Sequence, residues 1–307
     1  MNKFSSSLIS LQLAGQLPFL PATPINAQLW ADNPSPFTFS SPHSGRNYSA
    51  EFVKSSRLDL IDLRSSEDAY VDELFADIAK LGGNKLTALF PRAYVDVNRY
   101  ETDLDPELFI EAIPSFNRAN KHLINAGIGV IARVAGHRQH IYSGKIPIAQ
   151  AQQRLKQHYQ PYHYILNGLL QSAQAKFGYA LLIDAHSMPA YFSANQPAPD
   201  IIIGNLHGLS CHAEVASLVF ENLTNAGLRV KFNQPYAGGT ITQKYNDTTN
   251  GYHALQLEIN RGLYMHETNL EKTAGFDLLQ QILHNLTRDI INIDGQILLP
   301  QHYEAAE

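Results

Sequence analysis

Short apolar runs alternate with longer periodic stretches along this chain. Runs at 37–40, 85–90, 129–133, 180–184, 200–203, 229–232 and 254–259 have strand length and β-branched content. Between them, Val71, Leu74, Phe75, Ile78 and Leu81 recur at three-and-four spacing, as do Ala213, Val215, Ala216, Val219, Phe220 and Leu223. That period predicts amphipathic helices. The stretch 148–177 reads as a long helix or a helix pair bent at Pro161, and 269–291 as a terminal helix. Strands separated by helices imply an α/β fold: a mixed, mostly parallel twisted sheet flanked by helices. In such sheets ligands sit beyond the carboxyl ends of the strands.

A chain of 307 residues is long enough for one large α/β domain, and no internal repeat divides it. The first 35 residues are rich in Ser, Pro and Asn and read as an N-terminal extension, with the domain proper spanning 36–307. Lys3 before a partly apolar run imitates a signal peptide, but Gln12, Gly15, Gln16 and Pro18 interrupt that run. A lone Cys211 precludes an intramolecular disulfide and fits a reducing, cytoplasmic setting. The formal charge of −5 is spread without a basic cluster, which argues against nucleic acid as a partner. The absence of any run of about 18 apolar residues argues against a membrane span.

The carboxyl-end rule gives meaning to two short segments. "TFSSPHSG" places His43 just after one strand, and "LLIDAHS" places His186 just after another. With 13 histidines in the chain, any single one is first a hydrogen-bonded loop residue. Glu67 and Asp68 open a helical pattern, where acids commonly serve only as first-turn charges. Two His and one carboxylate nevertheless make a catalytic zinc set with a coordination position open for water. Asp184, two residues before His186, would orient that ligand or hydrogen-bond the strand end. Glu258 lies in an apolar strand between Leu257 and Ile259, where a carboxylate is costly unless paired or functional. Asn98 with Arg99, then Arg133, Arg138 and Arg261, are candidates to grip an anionic substrate or to form structural ion pairs. Gly238 and Gly239 permit close backbone approach, and Thr240 offers a hydroxyl.

Taken together, "SSPHSGRNY", "YVDELF", "YVDVNR", "IDAHSMP", "PDIIIGN", "YAGGTITQKY" and "HALQLEINRGLYMHE" resemble, in order, the N-formylglutamate amidohydrolase family. A more distant likeness is to zinc carboxypeptidases and aspartoacylases. The resemblance spans residues 37 to about 267 and implies a phosphorylase/hydrolase-like α/β fold. It implies Zn²⁺, or another divalent transition metal, held by His43, Asp68 and His186, with Glu67 as the alternative to Asp68. Glu258 falls on the family's general base, while Asn98 and Arg99 fall where related zinc hydrolases bind a substrate carboxylate. The implied reaction is hydrolysis of a small anionic N-acyl amino acid, N-formyl-L-glutamate first, with a place in histidine degradation. The family's Trp-His after the acid is here Ala69 and Tyr70. "GVIARVAGHRQHIYSGKIP" also replaces the "TGLCP" type of segment, so another acylated amino acid stands as an alternative substrate; because fold does not fix function, a binding protein without catalysis is the alternative of another class.

Overall fold

Seven strands form the main sheet: β1 (Ile25–Gln28), β2 (Phe37–Ser41), β3 (Asn84–Ala88), β6 (Ala180–Met188), β9 (Ile201–Gly204), β10 (Val230–Phe232) and β11 (Tyr252–Asn260). Strands β4 (Val134–Ala135) and β5 (Gln139–His140) pair separately, as do β7 (Tyr191–Ser193) and β8 (Gln196–Pro197). This computed structural model describes residues 24–300 except 33, 114–119, 137 and 194; the signal-peptide-like run lies outside the described residues. The order is β1-β3-β2-β6-β11-β9-β10. Strands β3, β2, β6 and β11 run parallel. The edge strand β1 is antiparallel to β3, and β9 is antiparallel to β11, so the sheet is mixed and mostly parallel as the alternation of elements predicts.

Side-chain alternation decides which face carries chemistry. Leu181, Ile183 and Ala185 of β6 and Leu255, Leu257 and Ile259 of β11 enter one apolar core, with helices Ala213–Asn225 and Gly275–Ile291 above it. Ala180, Leu182 and Ala254 enter the other core, with helix Gln160–Phe177. Toward the carboxyl ends that second face turns polar: Asp184 and His186 on β6, Gln256 and Glu258 on β11. Register aligns Ser40 with Asp184, Asp184 with Gln256, and His186 with Glu258.

Several sequence expectations are corrected. The apolar run 129–133 is no strand of the sheet: Val130 N donates to Asp103 O and Asp96 N to Val130 O, so its backbone is spent on loops. Val130 and Ile131 still reach the core, which is the source of their hydrophobicity. The periodic stretch 71–81 forms two short helices, Val71–Leu74 and Ile78–Leu81. Lys85 Nζ donates to the Asp72 carbonyl and Gln280 Nε2 to that of Glu73, capping the first helix early. Between helices Ile148–Arg154 and Gln160–Phe177 lies a π-helical turn at Leu155–Tyr159, just before Pro161, a wide turn that accommodates a residue with no N–H. The terminal helix begins at Gly275 rather than near 269. Residues 25–28, inside the stretch read as an extension, are the edge strand of the sheet. No helix among the described residues is long and apolar enough to cross a membrane.

Candidate functional site

The loop after β2 carries His43, and Gly45 in the same "PHSG" segment lies against the chain beyond β3. A Cβ on Gly45 would sit 2.1 Å from the Phe90 carbonyl oxygen, so only glycine fits. Asp68 N donates to His43 O at 3.1 Å, tying the two loops together. The next residue but one, Tyr70, takes a left-handed backbone (φ 65°), a strained conformation beside the site.

Three potential ligand atoms converge. His43 Nδ1 lies 3.3 Å from Asp68 Oδ2, His186 Nδ1 lies 3.1 Å from the same oxygen, and the two Nδ1 atoms are 3.1 Å apart. Bonds of about 2.0–2.1 Å to one tetrahedral ion would set ligand atoms roughly 3.3–3.4 Å from each other, so the set fits a divalent ion of zinc size. All three side chains are buried. Behind each imidazole stands a carboxylate: Asp96 Oδ1 is 2.7 Å from His43 Nε2, and Asp184 Oδ2 is 2.9 Å from His186 Nε2. With the Nε2 proton held outward, Nδ1 of each ring is turned to the shared point, the usual arrangement behind histidine ligands.

The electrostatics favour a cation there. Burial works against charge on His186, yet Asp184 and Asp68 raise its pKa well above the ordinary value. Burial likewise opposes the ionised form of Asp68, but hydrogen bonds from His186 and His43 and the charge of Arg92 hold it well below the usual carboxylate range. Burial pushes the Glu258 carboxyl up to about 8; His186, Arg92 and Arg261 oppose the rise and Asp68 adds to it. Gln256 Nε2 donates to Glu258 Oε1 at 2.6 Å, and its own oxygen accepts from Gly239 N, so the acid is held in place.

A cavity of about 650 Å³ opens over this cluster. His43, Asp68, His186, Glu258, Asn98, Arg99, Arg138, Gly239, Thr240 and Arg261 all line it, whereas Asp184 stands behind His186. Glu67 is turned away, its carboxylate paired with Arg64 at 3.1 Å, so Asp68 and not Glu67 joins the histidines. Arg133 is also elsewhere: it pairs with Asp105 at 2.7 Å and lines a separate cavity of about 330 Å³. Arg261 lines the main cavity but is spent on structure, donating to Asp68 Oδ1 at 3.1 Å and Ser187 Oγ at 3.0 Å. Arg99 donates to the carbonyls of Ile128 and Asn98 at 2.8 Å each. Asn98 accepts from Ile241 N at 2.8 Å, and its Nδ2 lies 3.2 Å from His186 Nε2. A Cβ on Gly239 would fall 2.3 Å from that amide, so the glycine admits Asn98 to the site.

Sequence reasoning passed over Asp96, Arg92 and Gln256. Arg92 pairs with Asp96 at 2.9 Å and approaches Asp68 at 4.0 Å. The signal for Gln256 was available, since alternation puts it on the face of Glu258. Asp96 in "YVDVNR" sits in a loop between the buried Val95 and Val97, and its partner is 53 residues away.

A family model described as N-formylglutamate amidohydrolase matches residues 35–265. A protein named N-formylglutamate deformylase from Pseudomonas putida is 27% identical over 247 residues, covering 76% of this chain and 83% of that protein. One of the same name from Pseudomonas aeruginosa (strain PAO1) is 28% identical over 239 residues, with the same coverage, 76% and 83%. The crystal structure of N-formylglutamate amidohydrolase from Ralstonia eutropha JMP134 superposes with a TM-score of 0.82 at 31% identity, covering 88% of this chain and 97% of that one. At 14% identity and a TM-score of 0.64, gene product Atu2144 from Agrobacterium tumefaciens shares the fold, covering 88% of this chain and 95% of its own. The matched residues run from just before β2 to just beyond β11 and so include every group around the cavity floor; the chain belongs to the N-formylglutamate amidohydrolase family.

Proposed function

We propose that this protein is a metal-dependent amidohydrolase that cleaves the amide bond of an N-formyl amino acid, with N-formyl-L-glutamate the leading substrate and formate and L-glutamate the products. The observation that carries the reading is the convergence of His43 Nδ1, His186 Nδ1 and Asp68 Oδ2 within 3.3 Å of one another, beside the buried Glu258. Zinc suits two imidazoles and a carboxylate, although cobalt, nickel or iron share the preference. When bound, such an ion lowers the pKa of a water and polarises the amide carbonyl.

The protein's own groups supply the rest. Glu258, acceptor-only when ionised, takes a proton from the attacking water as oxygen bonds to the formyl carbon. Its raised affinity for that proton suits the second half of the task, donation to the departing nitrogen as the C–N bond breaks. Gln256 keeps the carboxylate oriented through both transfers. Arg92, half-buried on the wall and held by Asp96, offers positive charge near the developing oxyanion. Of the cavity's arginines, Arg138 makes no ion pair among the described residues and is exposed, which leaves it to hold a substrate carboxylate.

Glu258→Gln is the direct test. Metal content should stay near one ion per chain by plasma mass spectrometry, while kcat falls by roughly two to four orders of magnitude. A near-native rate would remove Glu258 from this role. The acyl group and amino acid are fixed by kcat/KM across N-formyl, N-acetyl and larger acyl derivatives of glutamate, aspartate and neutral amino acids.

A further inference from the structure

A buried polar chain behind His186 extends further than a ligand pair requires. Asp184 Oδ2 faces His186 Nε2 at 2.9 Å, while its other oxygen, Oδ1, accepts from Ser40 Oγ at 2.9 Å. The single hydroxyl proton of Ser40 is thereby used. At 2.8 Å from Tyr162 Oη, Ser40 Oγ must therefore accept, and the phenol donates. Tyr162, Ser40, Asp184 and His186 are each no more than 2% exposed, so water does not substitute for any member.

The chain follows from placement. Parallel pairing of β2 with β6 aligns Ser40 with Asp184, and helix Gln160–Phe177 packs Tyr162 onto the same face. Neighbouring positions of that helix turn also brace the site: Tyr159 Oη donates to Arg99 O at 2.9 Å, and His163 Nε2 donates to Val97 O at 3.0 Å. Of these three side chains, Tyr162 alone is linked, through Ser40, to a carboxylate that touches a candidate ligand. Burial pushes its phenol well above the ordinary pKa, so the proton stays on Tyr162 and the direction of donation holds.

We propose that Tyr162 and Ser40 are positioning residues that act in series through Asp184 on His186, fixing the imidazole so that Nδ1 presents its lone pair to the metal. This inference rests on the metal reading of the site. Without Ser40, Asp184 Oδ1 is buried with no donor, and the carboxylate is free to rotate about the bond that holds His186. Without Tyr162, Ser40 loses the donor that polarises it but keeps its bond to Asp184, so the effect is smaller.

Zinc affinity of the full-length protein, measured by competition with a chelating dye, tests the chain, with thermal melting of the metal-free forms reporting folding. Ser40→Ala should bind zinc roughly 10–100-fold more weakly than the unaltered protein. Tyr162→Phe, which removes one oxygen and keeps the ring, should weaken binding by a few-fold, and Ser40→Thr, which keeps the hydroxyl, should restore most of the affinity. Because the two residues act in series, the double variant Ser40→Ala/Tyr162→Phe should be no weaker than Ser40→Ala alone. Affinities unchanged in Ser40→Ala and Tyr162→Phe, or losses that multiply in the double variant, overturn the serial chain while leaving the metal site standing. Absence of bound zinc, cobalt, nickel or iron in the unaltered protein overturns the metal reading and this inference with it. Should Ser40→Ala fail to fold, Tyr162→Phe alone decides.

Discussion

The two imidazoles that meet Asp68 are held by carboxylates of similar reach but opposite surroundings. Asp96, behind His43, shares its charge with the cavity wall: Arg92 lies 2.9 Å and Arg99 3.8 Å away, and Asn98 N donates to it at 2.8 Å. Burial opposes its ionised form, but His43, Arg99 and Arg92 hold its pKa well below the usual range. Asp184, behind His186, has no arginine within ion-pair distance among the described residues and is held by the hydroxyl of Ser40 instead. One pair is coupled to arginines that line the cavity; the other is sealed between sheet and helix. On the proposed reading of the site, the first side would tune substrate binding and the second the geometry of His186.

The largest test of that comparison should abolish it. His43→Ala and His186→Ala each remove one of three ligand atoms, and both should lose stoichiometric metal and at least about a thousandfold in kcat/KM. If one variant retains a full complement of metal, the two histidines are not equivalent ligands. Plasma mass spectrometry with parallel assays reads the outcome.

Next, the carboxylates should separate what the histidines do not. Asp184→Asn and Asp96→Asn should each weaken zinc by roughly 10–100-fold. Asp96→Asn should in addition change KM once metal is saturating, because Arg92 and Arg99 lose their counter-charge and both line the cavity. Asp184→Asn should leave KM within about twofold under that condition, since its neighbours are Ser40 and His186. Equal KM effects would erase the proposed division between the two sides.

The cavity side is sharpened by two arginines five residues apart. Arg138→Ala should raise KM about tenfold, or 1.4 kcal/mol, for an acylated diacid. Arg133→Ala should leave KM unchanged, because that side chain pairs with Asp105 outside the main cavity. A reversal of the two results would move the anion subsite to the separate cavity that Arg133 lines.

The smallest effect belongs to the sealed side. Burial, with Lys244 adding to it, pushes His163 from the ordinary 6.5 down to about 3, so the folded protein keeps this imidazole neutral. Between those values the unfolded chain binds more protons, so stability rises with pH and is lost on acidification below about 6.5. His163→Gln should flatten that slope, read from urea unfolding at pH 4.5 to 7. An unchanged slope would assign acid sensitivity to other groups.

Much of this was open to reading along the chain. Three aliphatic residues running into Asp184 and His186 mark a strand that delivers polar groups at its carboxyl end, and "LQLEIN" shows by alternation that Glu258 shares a face with Gln256. Gly238 and Gly239 announce a close approach, although not to what, and the need for Gly45 against the Phe90 carbonyl showed only in the structure. Local pattern misled at 129–133, where apolar residues serve the core without joining a ladder, and at 71–81, where Lys85 and Gln280 take the helix's carbonyls.

Pairings between distant segments were beyond its reach. Adjacent Glu67 and Asp68 are nearly identical as sequence; the turn after Arg64 sends one carboxylate to that arginine and the other to two histidines. Arg261 and Arg138 are equally cationic, yet Asp68 occupies the first while the second stays without an ion pair among the described residues. Periodicity and residue type along the sequence determined strands, helices and the inventory of reactive groups, because those depend on neighbours within a few positions. Tertiary structure alone decided which acid meets which base, since hydrogen bonds and ion pairs act over about 3 Å in space irrespective of separation along the chain.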